Sequence, residues 1–332
     1  MTDRTPSSIA LVGYGSWATA LAHLFSLNAL TVDWWVKDQA DAEYLTTHRA
    51  NPRYLVATPL NLERSRLSTD LEQVIRANEI VFLVTPSAYL HETLKNLPRD
   101  IFAGKTVISS IKGLDPLTQL RISEYLQQTF GVTNEQFVLV SGPSHAEEVV
   151  QGSITYLTVA SQNDHWIAPV ANCVRTDTLH TVSSNDVIGI EYAGILKNIY
   201  TIGVGMALGL GYQDNFIAVF VGACLREMGF YLNKKAGGFP RDITHSAYLG
   251  DFLTTAYSPF SRNRKLGYLV GQGASATEAI AQMEMVAEGY HATRIMVETH
   301  NLHYAIAQMV YDILYKGTDA RSAYRQAEFL LV

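Results

Sequence analysis

A lysine inside an apolar helix is the residue of this sequence that most needs a chemical explanation. Lys197 interrupts Glu191-Tyr-Ala-Gly-Ile-Leu-Lys197-Asn198-Ile-Tyr-Thr201, a glycine-containing run of helical period with few other charges. Burying an ammonium is costly unless it is paired or put to use. Desolvation lowers a lysine's pKa, so such a group can offer a neutral amine as a base. The competing reading is a lysine that snorkels its ammonium to the surface. Two later stretches supply companions. Gly250-Asp251-Phe-Leu-Thr-Thr255 adds a carboxylate, Asp251. Ser261-Arg262-Asn263-Arg264 puts a hydroxyl, guanidinium groups and an amide in one turn, donors that suit phosphate oxygens. A merely solvated basic turn would look the same.

A second set of residues lies near the N-terminus. Ile9-Ala-Leu-Val-Gly13-Tyr-Gly15-Ser16-Trp17-Ala18 reads as a strand, a tight turn and a helix start. Gly13 permits the turn, Gly15 lets backbone approach a pyrophosphate, and Ala18 takes the third glycine position of the dinucleotide fingerprint. The free N–H groups of the helix would receive the anion. Lys37-Asp38 follows the second strand, where Rossmann enzymes read the adenosine ribose. A basic side chain there admits the 2′-phosphate of NADP, and an acidic one selects NAD. Lys112 ends another strand, where open α/β sheets bind ligands and where lysines are also often just solvated. In Ser141-Gly142-Pro-Ser144-His-Ala146-Glu147, the Ser144–Glu147 spacing predicts a capping box at a helix start. Gly142 and the uncovered N–H groups there form either a cradle for an oxygen-rich ligand or an ordinary turn.

The elements needed to position these groups follow from periodicity. Ile9–Val12, Thr31–Val36, Ile80–Val84, Thr106–Ser109 and Phe137–Val140 read as strands alternating with amphipathic helices, which implies crossovers and a parallel sheet. Thr155–Ala160 adds a further β-type run, and from Val187 onward the pattern is almost wholly helical. The expected fold class is therefore α/β: an N-terminal Rossmann-type parallel-sheet domain, residues 1–183, binding NAD(P), then an all-α C-terminal domain, residues 184–332, for substrate and catalysis.

Composition limits the partners. A net charge of −6 provides no global basic field for nucleic acid or acidic membranes, so an anionic ligand must rely on a few local cations. Two cysteines, Cys173 and Cys224, outside any CxxC spacing, read as reduced thiols of a cytoplasmic protein. No basic n-region with a long apolar run opens the chain, so no signal peptide is expected. Ile199–Gln213 is apolar but short of the roughly 18 residues a membrane span needs. Ten histidines form no metal pattern: His300 and His303 are read as helical without an HExxH context, and no metal is expected. The expected partner is a small anionic molecule, with a homodimer left open.

Taken in order, GYGSWATALA, Pro86-Ser87, IKGL, SGPSHAEEV, EYAGILKN, GDFLTT, SRNRKLG and MVAEG at Met285–Gly289 resemble the bacterial-type NAD(P)-dependent glycerol-3-phosphate dehydrogenases over nearly the whole chain. The resemblance implies reversible oxidation of sn-glycerol 3-phosphate to dihydroxyacetone phosphate, feeding phospholipid synthesis, with the site between the two domains. It implies Lys197 as general base, and Lys112, Gly142, Ser144, Asp251, Ser261, Arg262 and Asn263 around the substrate. It further implies Ser16, Trp17, Lys37, Lys112, Ala146, Arg262, Val286 and Glu288 at the cofactor, beside Gly13 and Gly15. NADPH is expected to be preferred, with NADH accepted. Ala18 stands where the family usually has glycine, and His145 where phenylalanine is usual. The rival reading is a lysine-dependent β-hydroxyacid dehydrogenase, from which SRNR with GDFLTT separates this chain. A non-catalytic NAD(P)-binding sensor would have lost the lysine or the anion-binding turn.

Overall fold

Among the described residues, eight short strands make one sheet: β1 Ser8–Val12, β2 Thr31–Trp35, β3 Ser65–Ser68, β4 Ile80–Leu83, β5 Thr106–Ser109, β6 Phe137–Ser141, β7 Thr155–Ser161 and β8 Leu179–Ser184. The computed structural model describes residues 8–237, 240–283 and 287–328. Sheet order is β3-β2-β1-β4-β5-β6-β7-β8, with β1 through β6 parallel. The chain therefore leaves β1 toward β2 and β3, then returns across β1 to lay down β4, β5 and β6. That reversal creates the crevice at the carboxyl ends of β1 and β4 where open sheets bind ligands.

Three strands depart from the sequence expectation. β7 runs antiparallel to β6. The helix joining them, Ala146–Val150, has five residues and rises about 7.5 Å, too little to carry the chain back along a strand. β3 and β8 are edge strands whose sequences, Ser-Arg-Leu-Ser and Leu-His-Thr-Val-Ser-Ser, are too polar for an apolar-run criterion to find. Edge positions favour this composition because one face and one rim meet water.

The chain divides into two compact units. The first comprises the chain up to Ile111 together with Leu120–Val187; the second comprises Lys112–Gln119 and everything from Ile188 onward. In the first, the helix Ser16–Leu27 lays Ala18, Leu21 and Phe25 on Ile9, Leu11 and Phe82, and Phe25 meets Phe82 edge to face at 4.9 Å. In the second, the helix Val187–Gly209 is buried almost throughout, from Ile190 to Ala207. Cys173 and Cys224 are buried free thiols.

Glycine explains how that central helix is packed. A Cβ on Gly205 would strike the carbonyl oxygen of Arg264, and one on Gly209 that of Tyr268. From the opposite side, Gly267 and Gly271 face the carbonyls of Ile202 and Met206 in the same way. The helices Val187–Gly209 and Arg262–Gly271 thus touch backbone to backbone, as small residues spaced four apart permit.

By length and composition, the helix Asp214–Lys235, and not Ile199–Gln213, is long and apolar enough to cross a membrane. Just over half of its apolar window, 56%, is buried, through Ile217, Phe220, Cys224, Met228, Tyr231 and Leu232. A core helix of a globular unit has this character.

Candidate functional site

In the first unit, Gly13 adopts φ +119°, and a Cβ there would come within 3.1 Å of the backbone of Val84 and Thr85. A side chain is excluded both by conformation and by the end of β4. Gly15 is different: a Cβ on it would meet no protein atom within 4 Å. The turn is fixed from three sides. Trp34 Nε1 donates to the Gly13 carbonyl at 2.7 Å, and Asn51, fully buried, donates to Tyr14 O and Thr19 Oγ1 at 2.9 and 2.8 Å. The helix Ser16–Leu27 that follows has no side-chain cap and no acidic residue in its first turn. Its N-terminal N–H groups, and the positive end of its dipole, thus meet no carboxylate of their own helix. Ser16 opens this helix, and Trp17 packs partly buried on the sheet core.

Lys37 is exposed just beyond β2. Its neighbour Asp38 is committed elsewhere, capping the helix Gln39–His48 by accepting from Ala40 N at 2.9 Å and Asp41 N at 3.3 Å.

The capping box expected at Ser144 is absent. Gly142, at φ +127° and pressed to within 2.9 Å (as a Cβ) of the Tyr156 carbonyl, turns the chain so that the helix starts one residue later. His145 occupies the N-cap position and makes no side-chain cap bond to the helix, Ala146 is the first helical residue, and the Ser144 hydroxyl donates back to Gly142 O at 3.1 Å.

The second unit gathers the charged residues. Lys197 and Asp251 are 5% and 2% exposed, so the snorkelling alternative does not hold. Lys197 Nζ donates to Asp251 Oδ1 at 2.6 Å and to Thr255 Oγ1 at 2.8 Å. Lys112 Nζ reaches both oxygens of the same carboxylate, at 3.1 and 2.9 Å, with its side chain 22% exposed. One buried carboxylate therefore serves two ammonium groups. Thr255 spends its own proton on the Asp251 carbonyl at 2.7 Å, one helical turn back, which leaves its oxygen as an acceptor. A π-helical turn, Ser246–Gly250, delivers the chain to Asp251, and such widened turns recur at functional positions.

Electrostatics follow from this arrangement. Burial is the main cause that pulls Lys197 down from the ordinary lysine value to about 8; Asp251 opposes it and the Lys112 charge adds to it. For Asp251, burial pushes upward, but the two ammonium groups together outweigh it and hold the carboxyl below its usual range.

A chain of amides ties the surrounding segments together. Asn198 Nδ2 donates to the Lys112 carbonyl at 3.1 Å, Asn263 Nδ2 to Asn198 Oδ1 at 3.0 Å, and Gly289 N to Asn263 Oδ1 at 2.9 Å. Ser261 caps the helix Arg262–Gly271 by accepting from Arg264 N, with Arg262 half-buried beside it. Glu288 begins the helix Glu288–Glu298, while Val286 lies outside the described residues. Of the anticipated residues, Lys112, Lys197, Asp251, Ser261, Arg262, Asn263 and Glu288 belong to the second unit, and Gly13, Gly15, Ser16, Trp17, Lys37, Gly142, Ser144 and Ala146 to the first. Thr255 and Asn198 were present in the quoted motifs without an assigned task. His300 and His303 are not helical: both lie in the connection between the helices Glu288–Glu298 and Ala305–Lys316.

A parallel sheet of order 3-2-1-4-5-6 with a glycine turn at its switch point is the dinucleotide-binding, Rossmann-type class of α/β fold. Here it is followed by a helical unit carrying a buried lysine–carboxylate–lysine cluster. Residues 8–167 match the family model for the NAD-dependent glycerol-3-phosphate dehydrogenase N-terminus, and residues 186–325 the model for its C-terminus. Among curated relatives, the glycerol-3-phosphate dehydrogenase [NAD(P)+] of Macrococcus caseolyticus is 34% identical over 316 residues, 94% of each chain. That of Halothermothrix orenii is 30% identical over 328 residues, 97% of this chain and 94% of the relative. The crystal structure of glycerol-3-phosphate dehydrogenase from Coxiella burnetii superposes with a TM-score of 0.88 at 27% identity, covering 97% of this chain and 99% of that one. This chain belongs to the NAD-dependent glycerol-3-phosphate dehydrogenase family.

Proposed function

We propose that the protein interconverts sn-glycerol 3-phosphate and dihydroxyacetone phosphate with NAD(P), supplying glycerol 3-phosphate for phospholipid synthesis. The first unit is the cofactor-binding domain and the second the catalytic one. The observation that carries the reading is the Lys197 ammonium, buried and held with two of its three N–H donors occupied. The third is available to a substrate oxygen.

The first unit's residues suit a dinucleotide: Gly13 makes the turn, Gly15 presents bare backbone, and the uncapped N–H groups of Ser16–Leu27 would hold a pyrophosphate. When bound, the nicotinamide supplies or accepts the hydride. On the protein side, neutral Lys197 takes the proton of the C2 hydroxyl, and its ammonium form returns that proton during ketone reduction. Asp251 and Thr255 fix the amine in one direction. Lys112 and Arg262 provide positive charge for an anionic substrate, the forked guanidinium being suited to phosphate oxygens, with Ser261 and Asn263 beside it. The two buried free thiols agree with a reducing, cytoplasmic location.

The test is direct. Purified protein should oxidise NAD(P)H with dihydroxyacetone phosphate, and 3-hydroxyisobutyrate semialdehyde turned over with equal or better kcat/KM would overturn the reading.

NADPH is the preferred cofactor in this proposal. Asp38 is occupied as a helix cap, which leaves the exposed Lys37 as the charge at the ribose position. Lys37→Glu should move the NADPH-to-NADH ratio of kcat/KM toward NADH by about tenfold or more, the scale of a lost charge-assisted contact. An unchanged ratio in the variant would mean that Lys37 does not read the ribose.

A further inference from the structure

We infer that His300 is a positioning residue, which clasps the Lys112–Gln119 segment to the helical unit and thereby holds the Lys112 ammonium on Asp251. The inference rests on the proposed function only for its kinetic consequence; the clasp itself is a matter of geometry.

Lys112–Gln119 is an eight-residue excursion of the chain that belongs to the second unit although the residues on both sides of it belong to the first. It is pinned near its ends. At the start, the Lys112 carbonyl accepts from Asn198. At the finish, His300 Nε2 lies 2.6 Å from the Gln119 carbonyl, and the Thr299 hydroxyl donates to the Gln119 side-chain oxygen at 2.6 Å. A carbonyl can only accept, so His300 Nε2 must carry a proton in this contact. Between the two pins the segment is stiffened locally. The buried Asp115 carboxylate accepts from Thr118 N and Oγ1 at 2.8 and 2.7 Å, and Asp115 O accepts from Gln119 N at 2.8 Å.

Gln119 itself is held at φ +60°, a left-handed conformation that few residues other than glycine adopt without outside support. The paired contacts from Thr299 and His300 are that support. The imidazole is fixed in turn. Its ring lies edge-on to Tyr192, 6.2 Å between centroids, and Tyr231 donates to the His300 carbonyl at 3.3 Å. Tyr192 sits on the helix that carries Lys197, so the clasp is anchored to the element whose lysine shares Asp251 with Lys112. Release of Gln119 would free the segment to drift at one end, and Lys112 would lose its fixed approach to the carboxylate.

The experiment combines kinetics and hydrogen exchange on the full chain. His300→Phe keeps a ring against Tyr192 but cannot donate; His300→Gln keeps a donor of similar reach. His300→Phe should lower kcat/KM for dihydroxyacetone phosphate about tenfold, the scale of one lost hydrogen bond. His300→Gln should recover most of that loss. Adding His300→Phe to Lys112→Ala should cost nothing more, because the clasp acts through Lys112. Exchange at residues 112–119 should quicken in His300→Phe while the Lys197 helix stays protected. Additive losses in the double variant, His300→Gln no better than His300→Phe, or unchanged exchange would each overturn the clasp. If the wild-type protein fails to reduce dihydroxyacetone phosphate, the functional reading falls, and the exchange comparison alone still decides the clasp.

Discussion

Replacing Lys197 with methionine should lower kcat by roughly 10²–10⁴ in both directions, the loss associated with a positioned general acid–base, while NADPH binding changes little. Methionine fills nearly the same buried volume, so the fold should survive. The pH dependence makes the assignment specific. With Lys197 at about 8, alcohol oxidation needs the neutral amine, so kcat/KM should rise with pH through that value and level off above it. Ketone reduction needs the ammonium and should show the opposite limb, falling as pH passes the same value. In Lys197→Met both limbs should flatten. Activity within a few-fold of wild type, or limbs that persist in the variant, would assign the proton transfer to another group.

Asp251→Asn should be nearly as damaging, for a different reason. The change keeps shape but removes the charge that two ammonium groups share. Burial and the Lys112 charge, both of which disfavour protonated Lys197, would then act without opposition. Lys197 should become neutral at a lower pH, so the reductive reaction loses its proton donor at neutral pH. We expect a loss of about 10²–10³ in reductive kcat, within the range for a displaced acid–base group, and an oxidative limb shifted to lower pH. Stability should also fall, on the order of 3–5 kcal/mol, as when one partner of a buried ion pair is removed. An oxidative limb that stays in place would show that Asp251 does not tune the lysine.

Much of this was legible before the structure, where the governing interaction is local. The β1 turn could be read because strand, glycines and helix follow one another within Ile9–Leu27, and a lysine in an apolar run declares its own cost. The partners of that lysine could not. Asp251 is 54 residues from Lys197 and 139 from Lys112, and no periodicity states that one carboxylate takes both. Local spacing also misled at Ser144, where the left-handed turn at Gly142 moves the helix start by one residue and redirects the hydroxyl. β3 and β8 were invisible because edge strands of their polarity look like loops. The sequence alone places His300 on a helix, yet the helix ends at Glu298 and the chain turns through Asn301 at φ +58°.

The glycine contacts between the helices Val187–Gly209 and Arg262–Gly271 bear on how this protein could be engineered. Replacing glycine by alanine inside a helix is a standard route to thermostability, gaining roughly 0.4–1 kcal/mol by restricting the unfolded chain. Gly205, Gly209, Gly267 and Gly271 would be obvious first choices from the sequence, and each would drive a methyl group into a carbonyl of the facing helix. Parting the two backbones to make room would carry Lys197 away from the turn that holds Arg262. A consensus-style stabilisation programme applied here without the structure would therefore trade the reactive geometry for helix propensity, and the mutational tolerance of these four positions should be among the lowest in the chain.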